Sequence, residues 1–382
     1  MPFTAATFGR KLATLRTDFG QELNNLAEAS GIAVTRLIVL ESGQDDPTGD
    51  ELLILADCFR KDFRFFISDE ATDPDDGVEL LFREHGGDLS PSDRIAIAEF
   101  AYLCRCQAAL ERELGKARPA SFKFQQRGSY FKQHGKECAE ALRLHLKLGV
   151  RGVPRDLFAA MRDLGIKVFR RKLENSDISG LFMNHPEAGL CILVNLAEGM
   201  ARQRFSAAHE LGHALLDKKR VTFSKVGEWD SGVLVEVRAN AFASSFLMPA
   251  SILSDGDRSR WSDPREVTDW AGRLRVSVPA LISALYGERL IDETQRASLK
   301  LSARRPADDP PDPELEGART PAQAKRWHAL FERGLSKNYV DLCFEAHAQG
   351  IISRGLLSEM LLATPSETKA IASLFGRSVN SD

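Results

Sequence analysis

The sequence predicts a mainly α (α+β) protein, helical at both ends, with one small antiparallel sheet near its middle. Three observations carry this. Apolar residues recur at helical spacing through much of the chain, as in Ile97, Phe100, Ala101, Cys104 and Ala108. Strand-like runs are short and confined to residues 166–170, 180–184 and 190–195. A stretch holding Pro306, Pro310, Pro311 and Pro313 among acids then separates a last helical region.

Residues 7–66 read as five short helices. Leu12 and Leu15 begin the first, and Leu26 to Gly31 make a second that ends in a glycine turn. Residues 32–41 form the third, Ser42 and Gly43 break the chain before Pro47, and Leu52 to Ala56 continue it. Through LAEASGIAVTRLIVLESGQDDP, residues 1–68 resemble the Cro-repressor type helix-turn-helix of XRE regulators. The resemblance implies Ile32, Leu37 and Leu40 packed inward, with Ala33, Val34, Thr35, Arg36, Ile38 and Val39 facing a groove. Of these, only Thr35 and Arg36 offer polar contacts to base edges. Residues 1–63 also carry 6 basic against 10 acidic side chains, whereas affinity for duplex DNA rests largely on neutralising phosphates. A fold kept for dimerisation or docking therefore outweighs operator binding.

Residues 69–135 hold an acidic, turn-rich connector to residue 88, one helix over 95–114, and the segment SFKFQQRGSYFK at 121–132. Such basic and aromatic mixtures bind single-stranded nucleic acid, aromatic faces stacking on bases while cations follow phosphates. Lys123, Phe124, Arg127, Tyr130 and Lys132 are the candidate contacts. A competing reading packs Phe122, Phe124, Tyr130 and Phe131 into a core and leaves the charges to solvent. A third reading rests on charge balance. Residues 1–104 carry 9 Lys/Arg against 20 Asp/Glu, net −11, and residues 105–172 carry 17 against 6, net +11. Two such stretches suit docking on one another, a contact that single-stranded DNA would compete for.

Helices are expected over 137–148 and 156–164, the second stopped by Gly165, followed by the strands, the last two forming a hairpin around residues 185–189. The hairpin leads into the most informative stretch. Phe205, Ala208, Leu211, Leu215 and Leu216 make an apolar stripe with no proline in the run. His209 and His213, four apart, lie roughly 40° apart around a helix, so both imidazoles reach one ion. Glu210 then stands beside the ion without binding it, placed to take a proton from a metal-activated water. A catalytic zinc site needs a third protein ligand. Glu236 supplies it from a helix stopped ahead of Pro249, on which Ala239, Asn240 and Ala243 share its face and are short enough for close packing. Asn240 is the candidate partner that orients one imidazole.

RFSAAHELGHALL at 204–216 and EVRANAFASSFLMP at 236–249 resemble the ImmA/IrrE family of zinc metallopeptidases. The resemblance implies a zincin-like domain over residues 136–300, with His209, His213 and Glu236 as ligands of Zn2+ and Glu210 as general base. Arg238 departs from the pattern, since many relatives carry an acidic residue or glutamine there. A sheet beside the histidine helix suits a substrate that adds as an edge strand. Residues 267–285 resemble the second, smaller helix-turn-helix unit that closes the family's peptidase domain. Residues 301–320 are expected to be a solvated linker, and 321–382 a helical C-terminal region whose apolar run at 356–362 needs a partner surface. His145, His185, Tyr130 and Tyr286 stay open as oxyanion stabilisers.

Composition narrows the setting. A chain of 382 residues with 43% hydrophobic content is enough for two or three domains. MPFTAATFGRKL lacks the apolar run of a leader and no stretch reaches the ~18 apolar residues of a membrane span, so a cytoplasmic protein with no membrane partner is expected. Cys104 and Cys106 stand one residue too close for a Cys-x-x-Cys motif, and Cys58, Cys138, Cys191 and Cys343 add no framework. The expected function is an intracellular zinc endopeptidase with a regulatory role. The resemblance implies cleavage of a protein substrate, a helix-turn-helix repressor above all, and induction of stress, mobile-element or phage-defence genes. Single-stranded DNA is a candidate activator and a homodimer a candidate state. An XRE-type regulator with a structural or inactive metal site, or a toxin-antitoxin component, are the competing expectations.

Overall fold

The computed structural model describes residues 3–68, 78, 81–82, 89–126, 128–175, 177–217, 221–225, 233–304, 306, 309–316 and 320–379. Most of the acidic connector at 69–88, and Arg127, lie outside the described residues. The chain divides into two compact units, one made of residues 1–106, 173–175 and 185–188, the other of the remainder.

In the first unit, helices α1 (Ala5–Asp18), α2 (Leu23–Ser30), α3 (Val34–Glu41), α4 (Gly49–Cys58) and α5 (Arg64–Ile67) follow in order. Their ends have chemical causes. The Thr4 hydroxyl caps α1, Thr48 and Glu51 cap α4 reciprocally, and Gly31 ends α2 at φ +70°. Phe8, Leu12, Leu26, Leu37, Leu40 and Leu55 form the core. Gly9 lets α1 lie against the end of α3, because a Cβ there would stand 2.4 Å from the Leu40 carbonyl oxygen. Arg16 secures the same junction, donating to Glu41 at 2.6 and 3.0 Å. Helix α6 (Pro91–Glu113) follows and buries Ile97, Phe100, Ala101 and Cys104, the stripe read from the sequence.

The second unit opens with α7 (Phe131–His145) and α8 (Leu157–Asp163). Helix α7 begins at Phe131 rather than 137, so Phe131 and Lys132 are helical residues. Strands β1 (Lys167–Arg171), β2 (Ile178–His185) and β3 (Gly189–Asn195) come next, then helix α9 (Met200–Leu216), strand β4 (Val221–Lys225) and helix α10 (Leu234–Leu247). The sheet order is β1-β3-β2-β4, and the sheet is mixed rather than antiparallel. β1 runs parallel to β3, Lys167 opposite Cys191 and Arg171 opposite Asn195. Hairpin geometry governs β2 and β3, but the connection from β1 to β2 skips one strand position, which β3 fills and which forces the parallel pair. β4, not foreseen, pairs antiparallel with β2 and forms the edge.

Helices α11 (Ala250–Leu253), α12 (Pro264–Leu274), α13 (Val278–Gly287) and α14 (Glu293–Ser302) close a core around the buried Trp261, Leu281 and Leu285. Proline acts as expected, since Met248 leaves helical geometry at φ −130° and ψ 67° just before Pro249. The acidic stretch at 301–320 is not simply solvated. Arg170, 2% exposed, reaches Asp312 at 2.8 Å and Glu314 at 2.6 Å, and Arg162 reaches Glu314 at 3.0 Å. Burial pushes the Glu314 carboxyl up, but the two guanidiniums outweigh it and hold it below the ordinary range. The C-terminal helices α15 (Pro321–Phe331), α16 (Lys337–Ala348), α17 (Arg354–Met360) and α18 (Pro365–Phe375) find their partner surface within the unit. Leu357 and Leu361 are buried, the Tyr339 hydroxyl donates to the Met360 carbonyl at 2.9 Å, and its ring meets Phe169 of β1 at 5.5 Å. Among the described residues no helix is long and apolar enough to cross a membrane.

Candidate metal centre

Helix α9 is buried around nearly its whole circumference, charged residues included. Arg204 satisfies itself by donating to the carbonyls of Pro154 at 2.6 Å, Arg155 at 3.1 Å and Arg275 at 3.2 Å, while burial pulls its guanidinium down to about 10. Close packing of α10 depends on Gly212: a Cβ there would meet the Ala239 Cα at 3.2 Å. Against the same stretch of α10, Gly135 of α7 is tighter still, its Cβ position lying 2.3 Å from the Arg238 carbonyl oxygen.

Such contacts bring His209, His213 and Glu236 together, as the sequence predicts, with one ligand atom of each lying within 4.8 Å of the others. The two Nε2 atoms are 3.0 Å apart, His209 Nε2 is 3.1 Å from Glu236 Oε2, and His213 Nε2 is 3.4 Å from Glu236 Oε1. Each Nδ1 points away and has its own acceptor. Asn240 Oδ1 accepts from His209 at 2.9 Å, as expected, and Asp217 Oδ2 accepts from His213 at 2.5 Å. With Nδ1 protonated, both Nε2 lone pairs and a carboxylate face one small space, an arrangement that repels itself unless a cation sits there. Tetrahedral zinc with bonds of about 2.0–2.1 Å sets its ligands about 3.3 Å apart, so the residues fit such an ion. Glu236 is the least buried of the three. Its side chain is 20% exposed, which leaves the centre an approach from solvent.

Glu210 is fully buried on the same helix. It lies against β2, where a Cβ added to Gly180 would stand 3.0 Å from the Glu210 Cγ and 3.2 Å from its Oε1. Sequence reasoning did not single out Gly180, Asp217 or Gln126, and took Arg238 only as a departure from the family pattern. Asp217 carried a legible signal, since it lies four residues after His213. Arg238 hydrogen-bonds the other Asp217 oxygen, donates to Gln126 Oε1 at 3.2 Å and lies 4.9 Å over the Phe131 ring. A cavity of about 620 Å³ opens beside Asn240, lined also by Phe205, Val237, Ser244 and Lys132.

The remaining candidates scatter. Arg36 is paired within its own unit, donating to Glu51 at 2.7 and 2.9 Å and to Asp45 at 2.6 Å, while Thr35 is exposed. Phe124 packs against the core of the second unit while Lys123 and Tyr130 are exposed. Of the oxyanion candidates, His185 accepts from the backbone of Glu187 and Ala188, His145 lies against Phe122, and Tyr286 lies under Arg296.

The family model for an IrrE N-terminal-like domain, a peptidase family, matches residues 161–286, which span both ligand helices and the sheet strands. Over 98 residues the chain is 31% identical to the radiation response metalloprotease IrrE of Deinococcus radiodurans, a match covering 25% of this chain and 30% of that protein. The stretch that holds His209, Glu210, His213 and Glu236 is therefore similar to the peptidase domain of the ImmA/IrrE family.

Proposed function

We propose that this chain is a zinc-dependent endopeptidase with a regulatory role, whose substrate is a helix-turn-helix repressor or a similar regulator. The observation that carries it is the meeting of three electron-pair donors beside a buried carboxylate on one helix. A zinc ion held by His209, His213 and Glu236 would supply a Lewis acid for the scissile carbonyl and acidify water. Glu210 takes the water's proton and later delivers it to the leaving amide nitrogen. An extended substrate adds along β4, the sheet edge, and exposed Val233 and Leu234 just before Glu236 offer it apolar contact. Single-stranded DNA is proposed as an activator that meets Lys123, Tyr130 and Lys132, a role supported by the exposure of the first two. Promoter reading by the XRE-like unit finds less support, because Arg36 is already paired.

The test is metal analysis of protein purified without chelator, followed by incubation with zinc and a helix-turn-helix repressor of the same organism, with and without single-stranded DNA. Wild type is expected to hold one zinc per chain and cut the repressor. Glu210→Gln should keep the metal and lose about 10²–10⁴-fold in rate. Protein free of any divalent ion, or a Glu210→Gln variant as fast as wild type, overturns the proposal.

A further inference from the structure

We infer that Asp217 and Arg238 are positioning residues of the metal centre, Asp217 fixing His213 for the ion and Arg238 fixing Asp217. The inference rests on the zinc reading above. Asp217 caps the end of α9, its backbone N–H donating to the His213 carbonyl at 2.8 Å, and its side chain turns back to take the Nδ1 proton at 2.5 Å. The two imidazoles therefore have unlike partners, a neutral amide on His209 and a carboxylate on His213. A carboxylate acceptor makes an imidazole the stronger donor to a cation, and partners of this kind are worth about 10- to 100-fold in metal affinity.

A carboxylate in that place needs a counter-charge. The Asp217 side chain is 4% exposed, and Arg238, 7% exposed, hydrogen-bonds the oxygen that His213 does not use. The guanidinium has little freedom of its own, held by the Phe131 ring at 4.9 Å and by Gln126 Oε1 at 3.2 Å. Gln126 is fixed in turn, its amide donating to the Leu216 carbonyl at 2.8 Å. The chain of contacts runs from the basic and aromatic segment through Arg238 and Asp217 to a metal ligand. A mere staple between α9 and α10 would use the same ion pair without placing one oxygen on a ligand imidazole.

Zinc affinity of the full-length protein, measured by competition with a chromophoric chelator, separates the two roles. Asp217→Asn should weaken zinc about 10- to 100-fold, and Arg238→Met should weaken it too. Arg238 acts through Asp217, so the double variant Asp217→Asn/Arg238→Met should lose no more than Asp217→Asn alone. The double variant also leaves no stranded buried charge, and circular dichroism checks that it is folded. A folded double variant that binds zinc within about twofold of wild type overturns the inference, and so do losses that multiply. Wild type that takes up no zinc would instead sink the zinc reading itself.

Discussion

Glu210 is held by its neighbours as much as by its helix. Gly180 faces it with no side chain, and a Cβ there would stand 3.0 Å from both the Glu210 Cγ and the Leu193 carbonyl oxygen. Gly180→Ala should therefore displace the carboxylate and slow hydrolysis about tenfold or more while leaving zinc affinity unchanged, since a small misplacement of a reacting group is costly. Comparable loss of zinc by chelator competition would contradict it. The ligands and Glu210 were legible in the sequence because positions four apart share a helix face whatever the rest of the fold does. Gly180 was not, because only strand pairing brings it to α9. The pairing of Arg36 with Asp45 and Glu51 was not legible either, for the same reason. The hydrogen bond from Arg36 pulls the Glu51 carboxyl down to about 2. A depressed carboxyl stabilises the fold fully above its unfolded value of about 4.3 and loses that contribution as pH falls toward the folded value. In Arg36→Ala the Glu51 carboxyl, followed by NMR, should titrate near its ordinary value, and a titration unchanged from wild type would show that the pair does not form.

Between elements, glycines decide how closely helices lie, and they do so unequally. Gly135 of α7 has the Arg238 carbonyl oxygen 2.3 Å and the Phe242 nitrogen 2.8 Å from its Cβ position, both backbone atoms that cannot rotate away. Gly272 of α12 has nothing within 4 Å. Gly135→Ala should cost about 1–3 kcal/mol by overpacking, whereas Gly272→Ala should gain about 0.5–1 kcal/mol from helix propensity. Denaturant melts of the two variants check this, and equal effects would mean that α7 can shift away from α10. Helix ends were legible where capping chemistry is local, as at Gly31, Gly165 and Pro249. The parallel pairing of β1 with β3 was not, because strand order depends on where a connection passes. Nor were the anchors of the acidic stretch, since Asp312 and Glu314 meet a partner more than 140 residues earlier in the chain.

On the scale of the whole molecule, the candidate ligands His209, His213 and Glu236 all fall in the second unit, and so do Trp261, Trp270 and Trp327. Residues 1–106 carry no tryptophan, so tryptophan fluorescence reports on the unit with the candidate metal centre and is blind to them. An ion that binds only the folded unit stabilises it by mass action, by about 2.7 kcal/mol when free zinc is 100 times its dissociation constant. For a unit of this size 1 kcal/mol moves Tm by about 2–4 °C, so removing zinc should lower the tryptophan-reported Tm by roughly 5–11 °C. The shift should grow with zinc concentration, because linkage is logarithmic in free ligand. Asp217→Asn should move less than wild type at the same zinc concentration, since its weaker binding lowers the ratio of free ion to dissociation constant. A fluorescence melt unchanged by chelator would mean that the imidazoles and Glu236 hold no ion in the folded protein, and the histidine helix would then be a buried polar cluster with no metal to serve.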